Sequence, residues 1–258
     1  MDIDAIRSQI KGNLGRQIVF YDTVGSTNTV ALGCGEETEE GTVILSDSQE
    51  KGRGRLGRSW VSPPGVNIYL SILLHPRIEP EHATLITLLS AIACTYALRK
   101  TTGLSISVKW PNDLMAADRK LGGILTEMKI TGKEIVLAVI GIGINVNMAA
   151  NEFPDQIRTT ATSVKIETGE DVSRERIIAE ILNETDRWYK VLQAGRSREI
   201  VDEWQRLTST LGRRVLVTTG QETYTGLAEG IDDKGMLLIR LPSGEIKRIS
   251  SGDLTALK

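Results

Sequence analysis

The sequence has no dominant charge of either sign. Its 31 basic and 33 acidic residues leave a formal net charge of −2 at neutral pH. This balance argues against a protein whose whole surface binds nucleic acid, although it is compatible with a local basic patch. Hydrophobic residues form 40% of the 258 residues and charged residues 25%, which is ordinary for a globular protein and sufficient for a core.

Metal ligands and nucleophiles are scarce. The two cysteines, Cys34 and Cys94, do not have the spacing of a metal site, and we interpret them as reduced thiols of a cytoplasmic protein. The two histidines, His75 and His82, flank a predicted strand end and a predicted helix start, where we expect surface positions without a catalytic role. No Ser-His-Asp or Cys-His set is recognisable in the sequence.

Signal sequences, long apolar runs and repeats are also missing. The first ten residues, MDIDAIRSQI, are acidic and then amphipathic, without the charged-then-apolar pattern of a signal peptide. No segment is predicted to be long and apolar enough to span a membrane, which takes about 20 residues. The sequence therefore predicts a protein without membrane association.

The hydrophobic pattern predicts an α+β fold in which a mixed, largely antiparallel sheet is combined with helices. Strands are predicted at 17–22, 42–49, 66–74, 104–110, 121–130 and 134–146, and helices at 3–10, 26–33, 81–100 and 174–192 and from 197 onward. Turns are expected at 111–113 and 131–133.

After Gly212 the pattern changes to four or five short strands, with hairpin turns at 233–235 and 242–244. Short strands with tight turns are typical of a small barrel. We therefore predict two domains, a larger α+β domain over residues 1–210 and a small β domain over residues 211–258.

Residues 51–60, KGRGRLGRSW, resemble two phosphate-binding motifs. The glycines spell G-x-G-x-x-G, and the stretch nearly spells a P-loop, with Arg58 in place of the lysine. Both motifs need a helix directly after the last glycine, because its N-terminus helps to bind the phosphate. The sequence Pro-Pro-Gly at 63–65 excludes a helix of useful length there.

A flexible anion-binding loop is our interpretation of this stretch. Ordering three glycines in six residues costs entropy, which a bound ligand would offset. Arg53, Arg55 and Arg58 alternate with small residues, and arginine forks pair well with carboxylates and phosphates. A solvated arginine-rich turn is the alternative.

Three further clusters contain polar residues near strand ends or glycines. Lys109, Asn112 and Asp113 lie at the end of a predicted strand, where an ordinary surface turn is the alternative. Lys120 precedes two strand glycines, which mark either a bulge or the close approach of a ligand. Asn145 follows two more strand glycines and can both donate and accept hydrogen bonds.

Taken in order, these motifs resemble those of the biotin protein ligases. The segments are STN at 26–28, Gln49, GRGRLGR at 52–58, KWPND at 109–113, RKLGGIL at 119–125 and GIGIN at 141–145. The resemblance continues through ATS at 161–163 to the C-terminal β region, and so covers nearly the whole chain. It implies the fold that biotin ligases share with class II aminoacyl-tRNA synthetases, followed by an SH3-like β domain.

The resemblance also implies a two-step reaction. Biotin and ATP, with Mg²⁺ carried by the ATP, would give biotinyl-5′-adenylate, and a lysine of a biotin carboxyl carrier protein would then displace AMP. The implied biotin-binding residues are Ser26, Thr27, Asn28, Gln49, Gly52, Arg53, Gly54, Arg55, Lys120 and Gly123. The implied adenylate-binding residues are Arg53, Arg55, Arg58, Trp60, Lys109, Asn112, Asp113, Lys120 and Asn145, of which Arg53, Asp113 and Lys120 would be catalytic.

Elementary chemistry agrees with this assignment. Joining a carboxylate to the α-phosphate brings two anions together, so fixed cations such as Arg53 and Lys120 would offset the repulsion. The mixed anhydride must then be kept from water, which a loop that orders over it would do.

The resemblance leaves three further expectations. Some members of the family carry an N-terminal DNA-binding domain, but only 25 residues precede Ser26 here, so we expect no DNA binding. A homodimer could form through an exposed edge strand. The alternatives to a biotin ligase are a related lipoate ligase and a transcription factor that senses biotin.

Overall fold

A computed structural model describes residues 1–257. Its main sheet has seven strands in the order β1-β2-β3-β7-β6-β5-β4. The strands are β1 Ile18–Val24, β2 Val43–Gln49, β3 Ile68–Leu74, β4 Ile106–Lys109, β5 Asp113–Ala116, β6 Arg119–Thr131 and β7 Glu134–Ile144. Only β1 and β2 pair in parallel, whereas the other pairs are antiparallel. The predicted mixed, largely antiparallel sheet is confirmed.

Six α-helices accompany this sheet in the described part of the chain. They are α1 Ile3–Arg7, α2 Thr27–Gly33, α3 Thr84–Thr102, α4 Val164–Thr168, α5 Arg174–Gln193 and α6 Ser197–Leu207. Helix α5 begins as predicted, since the Ser173 side chain accepts a hydrogen bond from the backbone N–H of Arg176. Helix α3 ends at Gly103, whose φ of 73° suits glycine.

Helix α3 corrects one prediction from the sequence. The segment Pro80–Thr102 is long and apolar enough, by length and composition, to cross a membrane. In the structure, however, 67% of its most apolar window is buried, and the helix contacts β4, β5 and β6 as well as α5 and α6. The helix is therefore apolar because it packs inside the core of the protein.

Strand β5 was missed by the sequence analysis. Asp113, predicted as part of a turn, begins this strand and pairs with Lys109 of β4. The chain then reverses at Ala117 and Asp118, which have φ values of 46° and 62°. Because neither residue is glycine, the pattern of turn residues did not reveal this hairpin.

The C-terminal region forms a second sheet of five antiparallel strands in the order β11-β10-β9-β8-β12. The strands are β8 Arg214–Thr219, β9 Glu222–Ile231, β10 Leu237–Arg240, β11 Ile246–Ile249 and β12 Asp253–Ala256. Val215 and Leu237 of this sheet belong to the same buried cluster as Leu88 of α3. The number of strands agrees with the prediction, while the SH3-like topology and the boundary at residue 210 stay predictions.

The histidines are less exposed than the predicted surface positions. The two ring nitrogens of His75 lie 2.8 and 2.9 Å from the backbone oxygens of Val136 and Thr38, so His75 is half-buried and structural. His82 is also half-buried. Both cysteines are unpaired, with Cys34 exposed and Cys94 buried.

Candidate active site

One cavity of about 310 Å³ brings the predicted site residues together. This volume is at the lower end of the range for small-molecule sites, which runs from about 300 to 1,000 Å³. All the predicted residues except Gly52 line the cavity. Gly52 lies directly against the chain at Trp60, where a Cβ would lie 2.4 Å from the backbone oxygen.

The floor of the cavity is formed by β6 and β7. Gly123 pairs with Gly143, and Leu125 pairs with Gly141. These two residue pairs are neighbouring rungs of the β6–β7 ladder on the same face of the sheet. A Cβ at Gly143 would lie 2.6 Å from Nε1 of Trp60, and a Cβ at Gly141 would lie 2.1 Å from Oδ1 of Asn28. Gly141 and Gly143 therefore make room for side chains of the chain itself.

A network of uncharged polar groups surrounds Asn28 at one end of the cavity. The backbone N–H of Thr27 donates to Oε1 of Gln49 at 2.9 Å, and Oγ of Ser71 donates to Oδ1 of Asn28 at 2.6 Å. Ser26 occupies the N-cap position of α2, but its hydroxyl makes no capping bond. Because Thr27, Asn28 and Ser71 are buried and bonded to one another, they form a preorganised site for an uncharged polar group.

A cationic cluster lies beside this network. Nζ of Lys120 lies 2.6 Å from Oδ1 of Asp113 and 5.6 Å from the centre of the Trp60 ring. The guanidinium of Arg55 donates to Oδ1 of Asn112 at 3.2 Å. Burial lowers the pKa of Arg55, while the charge of Asp113 opposes that change, and arginine stays protonated in either case. The cluster is therefore suited to binding an anion.

Comparisons with known proteins agree with this geometry. Residues 20–145 match the model of the biotin/lipoate A/B protein ligase family, and residues 210–254 match that of the biotin protein ligase C-terminal domain. The chain is 34% identical over 242 residues to the bifunctional ligase/repressor BirA of Bacillus subtilis, covering 93% of this chain and 74% of that protein. It is 32% identical to the biotin–[acetyl-CoA-carboxylase] ligase of Paracoccus denitrificans, covering 85% of this chain and 92% of that protein.

The chain belongs to the biotin protein ligase family. It is therefore a ligase, and its fold agrees with a solved structure of that family. The biotin protein ligase from Aquifex aeolicus in complex with biotin and ATP superimposes with a TM-score of 0.79 at 30% identity, covering 94% of this chain and 99% of that one.

The glycine–arginine loop of this biotin protein ligase family member has no helix after it, as predicted. It contains a 3₁₀ turn at Arg55–Gly57 and a β-bridge between Arg53 and Ser59. At the tip, Leu56 is 65% exposed and has a φ of 55°, which is uncommon outside glycine. The loop is thus ordered as a tight hairpin-like turn over the cavity.

The three arginines of the loop have different partners. Arg53 donates from Nη2 to Oε2 of Glu127 at 2.6 Å, Arg55 faces the cavity, and Arg58 pairs with Asp253. The sequence analysis placed Arg53 at the reacting groups, assigned Arg53 and Arg55 to both biotin and the adenylate, and assigned Arg58 to the adenylate alone. In the structure, Nη1 of Arg55 donates to Oδ1 of Asn112 at 3.2 Å and to the backbone oxygen of Gly252 at 3.4 Å.

Two amide side chains of the predicted site are held by backbone groups. Nδ2 of Asn112 donates to the oxygen of Ile124 at 2.6 Å, and Nδ2 of Asn145 donates to the oxygen of Thr162 at 2.9 Å. Lys109 lines the cavity and is half-buried. The fixed amides leave the two Oδ1 atoms as the groups that can face a ligand or Arg55.

Sequence reasoning missed two parts of the cavity wall. The first comprises Phe153, Ile157, Thr160 and Ala161, and the second comprises Gly252, Asp253 and Leu254 of the C-terminal sheet. The motif ATS at 161–163 was a signal for the first part. No pattern of charge or glycine distinguishes the second part, which reaches the cavity only through folding.

Proposed function

We propose that this chain attaches biotin to one lysine of a biotin carboxyl carrier protein through biotinyl-5′-adenylate. The observation that carries the proposal is the order of groups along the cavity floor. The uncharged network lies at the Leu125–Gly141 rung and Nζ of Lys120 lies at the Gly123–Gly143 rung, about 7 Å away at two residues per rung. Biotin has this same order, with a neutral ureido ring at one end and a carboxylate at the other.

In the first step, the biotin carboxylate attacks the α-phosphorus of ATP and pyrophosphate leaves. Lys120 and Arg55 would offset the repulsion between the two anions and stabilise the charge that develops on the phosphate oxygens. Asp113 holds Lys120 in place before the substrates arrive. Arg53 would act by closing the loop, and Trp60 would flank the adenylate.

Mg²⁺ would enter as MgATP. Among the described residues that line the cavity, the carboxylates are those of Asp113 and Asp253, and each is paired with a cation. This donor set suits an ion that is held mainly by phosphates and water, with one or two protein carboxylates. When bound, the ion would neutralise phosphate charge and help pyrophosphate to leave.

In the second step, the lysine amine attacks the carbonyl carbon of the mixed anhydride. An amide bond forms, the bond from the carbonyl carbon to the phosphate oxygen breaks, AMP leaves and the amine loses a proton. The closed loop would keep water from the same carbonyl until the carrier docks.

Mass spectrometry of a purified carrier domain tests this function. After incubation with biotin, MgATP and the protein, we expect one biotinyl group on one lysine, and no product when ATP is omitted. Lipoic acid in place of biotin serves as the matched substrate control. Formation of lipoyl-adenylate without biotinyl-adenylate would show that the chain is a lipoate ligase instead.

The remaining expectations about this chain are part of the proposal. They are a cytoplasmic location, a homodimer through an edge strand of the main sheet, and no binding to DNA or membranes. Tight, salt-dependent binding to a specific promoter would contradict the expected lack of DNA binding.

A further inference from the structure

Glu127 is a charged residue that belongs to none of the motifs and to neither proposed chemical step. It lies on β6, opposite Val139 of β7, and its side chain is 25% exposed. Its Oε2 atom accepts hydrogen bonds from Nη2 of Arg53 at 2.6 Å and from Nδ2 of Asn28 at 2.8 Å. One carboxylate oxygen thus joins the loop to the uncharged end of the cavity.

The position of Glu127 continues the order of the cavity floor. Alternate residues of a strand share one face, so Gly123, Leu125 and Glu127 face the same side of β6. Trp60 packs against the Gly123–Gly143 pair, and Asn28 packs against the Leu125–Gly141 pair. Glu127, which pairs with Val139, is the next residue on this face of β6 and lies immediately beyond the polar network.

The contacts of Asn28 show that this carboxylate determines the orientation of an amide. Both amide hydrogens are donated, one to Glu127 and one to the backbone oxygen of Leu125 at 3.1 Å, while Oδ1 accepts from Ser71. The amide lies directly against Gly141, where a Cβ would come within 2.1 Å of Oδ1. Without an acceptor at residue 127, a buried N–H of Asn28 would lose its partner, which is costly.

The contact between Glu127 and Arg53 restrains a loop whose ordering costs conformational entropy. The loop contains Gly52, Gly54 and Gly57, and glycine loses more conformational freedom on ordering than any other residue. A charge-assisted hydrogen bond to a half-buried carboxylate offsets part of that cost. Because the same carboxylate binds Asn28, closing the loop and ordering the polar network are coupled.

We propose that Glu127 is a positioning residue that holds the loop of residues 52–60 closed and at the same time orients Asn28. It acts through Arg53 and Asn28 and does not touch the reacting atoms. The identity of the retained ligand rests on the proposed function, whereas the closure of the loop is a property of the chain and can be tested without a ligand.

Trypsin provides the test of closure, because it cleaves after arginine and the loop contains three. Glu127→Gln keeps an acceptor oxygen for Asn28 but removes the charge that pairs with Arg53. We expect cleavage of the loop to be about fivefold faster than in the unchanged protein, an effect typical of the loss of a half-exposed ion pair, with the same Tm.

Glu229→Gln is the matched control, since Glu229 lies 2.6 Å from Arg240 at similar exposure and outside the cavity. Equal cleavage rates in the Glu127→Gln and unchanged proteins would overturn the proposal.

Retention of the adenylate provides the second test. Glu127→Gln and Arg53→Gln should each speed its dissociation about fivefold, and the double variant should match the single ones because both remove the same contact. Additive effects, or slower dissociation from Glu127→Gln, would show that Arg53 serves the ligand directly and would overturn the proposal. Faster cleavage in a protein that forms no adenylate would contradict the proposed function but support the closure by Glu127.

Discussion

Gly143 lies against the indole ring of Trp60, so closely that a Cβ would come within 2.6 Å of Nε1. The neighbouring rung has the same relationship, with Gly141 against the amide of Asn28. Both side chains line the cavity. The shape of the cavity therefore depends on two strand positions at which any larger residue would displace a wall.

Gly141→Ala tests this dependence. The added methyl group would push Asn28 away from Ser71 and Glu127, so we expect biotin affinity to fall at least about tenfold, with a loss of stability of about 1–3 kcal/mol from overpacking. Titration calorimetry and thermal unfolding measure the two effects. Gly33→Ala is the control, because a Cβ there meets nothing within 4 Å and should leave affinity unchanged. Normal biotin affinity in Gly141→Ala would refute the role of this position.

Lys120→Ala should damage adenylate formation more than folding. Its Nζ lies in the cationic cluster, yet the side chain is 37% exposed, so the core does not depend on it. We expect pyrophosphate release to slow about 100-fold or more, as for loss of a group that stabilises transition-state charge. Lys129→Ala, at an exposed position of the same strand, is the control. A normal rate in Lys120→Ala would remove this lysine from the mechanism.

Asp253→Asn should loosen the contact between the loop and the C-terminal sheet. Asp253 pairs with Arg58 of the loop, and both side chains are substantially exposed. Exposed pairs are weak and screened by salt, so we expect adenylate dissociation to speed up only about twofold at low salt. High salt should produce the same change in the unchanged protein. A difference between the two proteins that persists at high salt would contradict this account.

The two thiols should differ in reactivity. Burial raises the pKa of Cys94, so its reactive thiolate form is depleted at neutral pH, whereas Cys34 is exposed. A thiol reagent should therefore modify one cysteine in the folded protein and two in denaturant. Cys34→Ser should abolish the reaction of the folded protein. Rapid modification of that variant would show that the site of Cys94 opens readily.

Much of the fold could be predicted because periodicity is local. The helical pattern of α5 is contained within about twenty residues, and the structure has this helix where it was predicted. Strand β5 was not predictable in this way. It is four residues long and turns into β6 without a glycine, so it gains its structure from the neighbours it pairs with.

The cavity shows the same division. The order of motifs was enough to identify the family and to name site residues of which all but Gly52 line the cavity, because each motif is a short run whose chemistry can be read directly. The hydrogen-bonding partners of those residues could not be identified from the sequence, because Arg53 and Glu127 are separated by 74 residues and Arg58 and Asp253 by 195. Such contacts depend on strand register, which places Gly141 opposite Leu125, and on the packing of the second sheet. Register and packing depend on the whole chain at once, which is why the three arginines look alike in the sequence and differ in the folded protein.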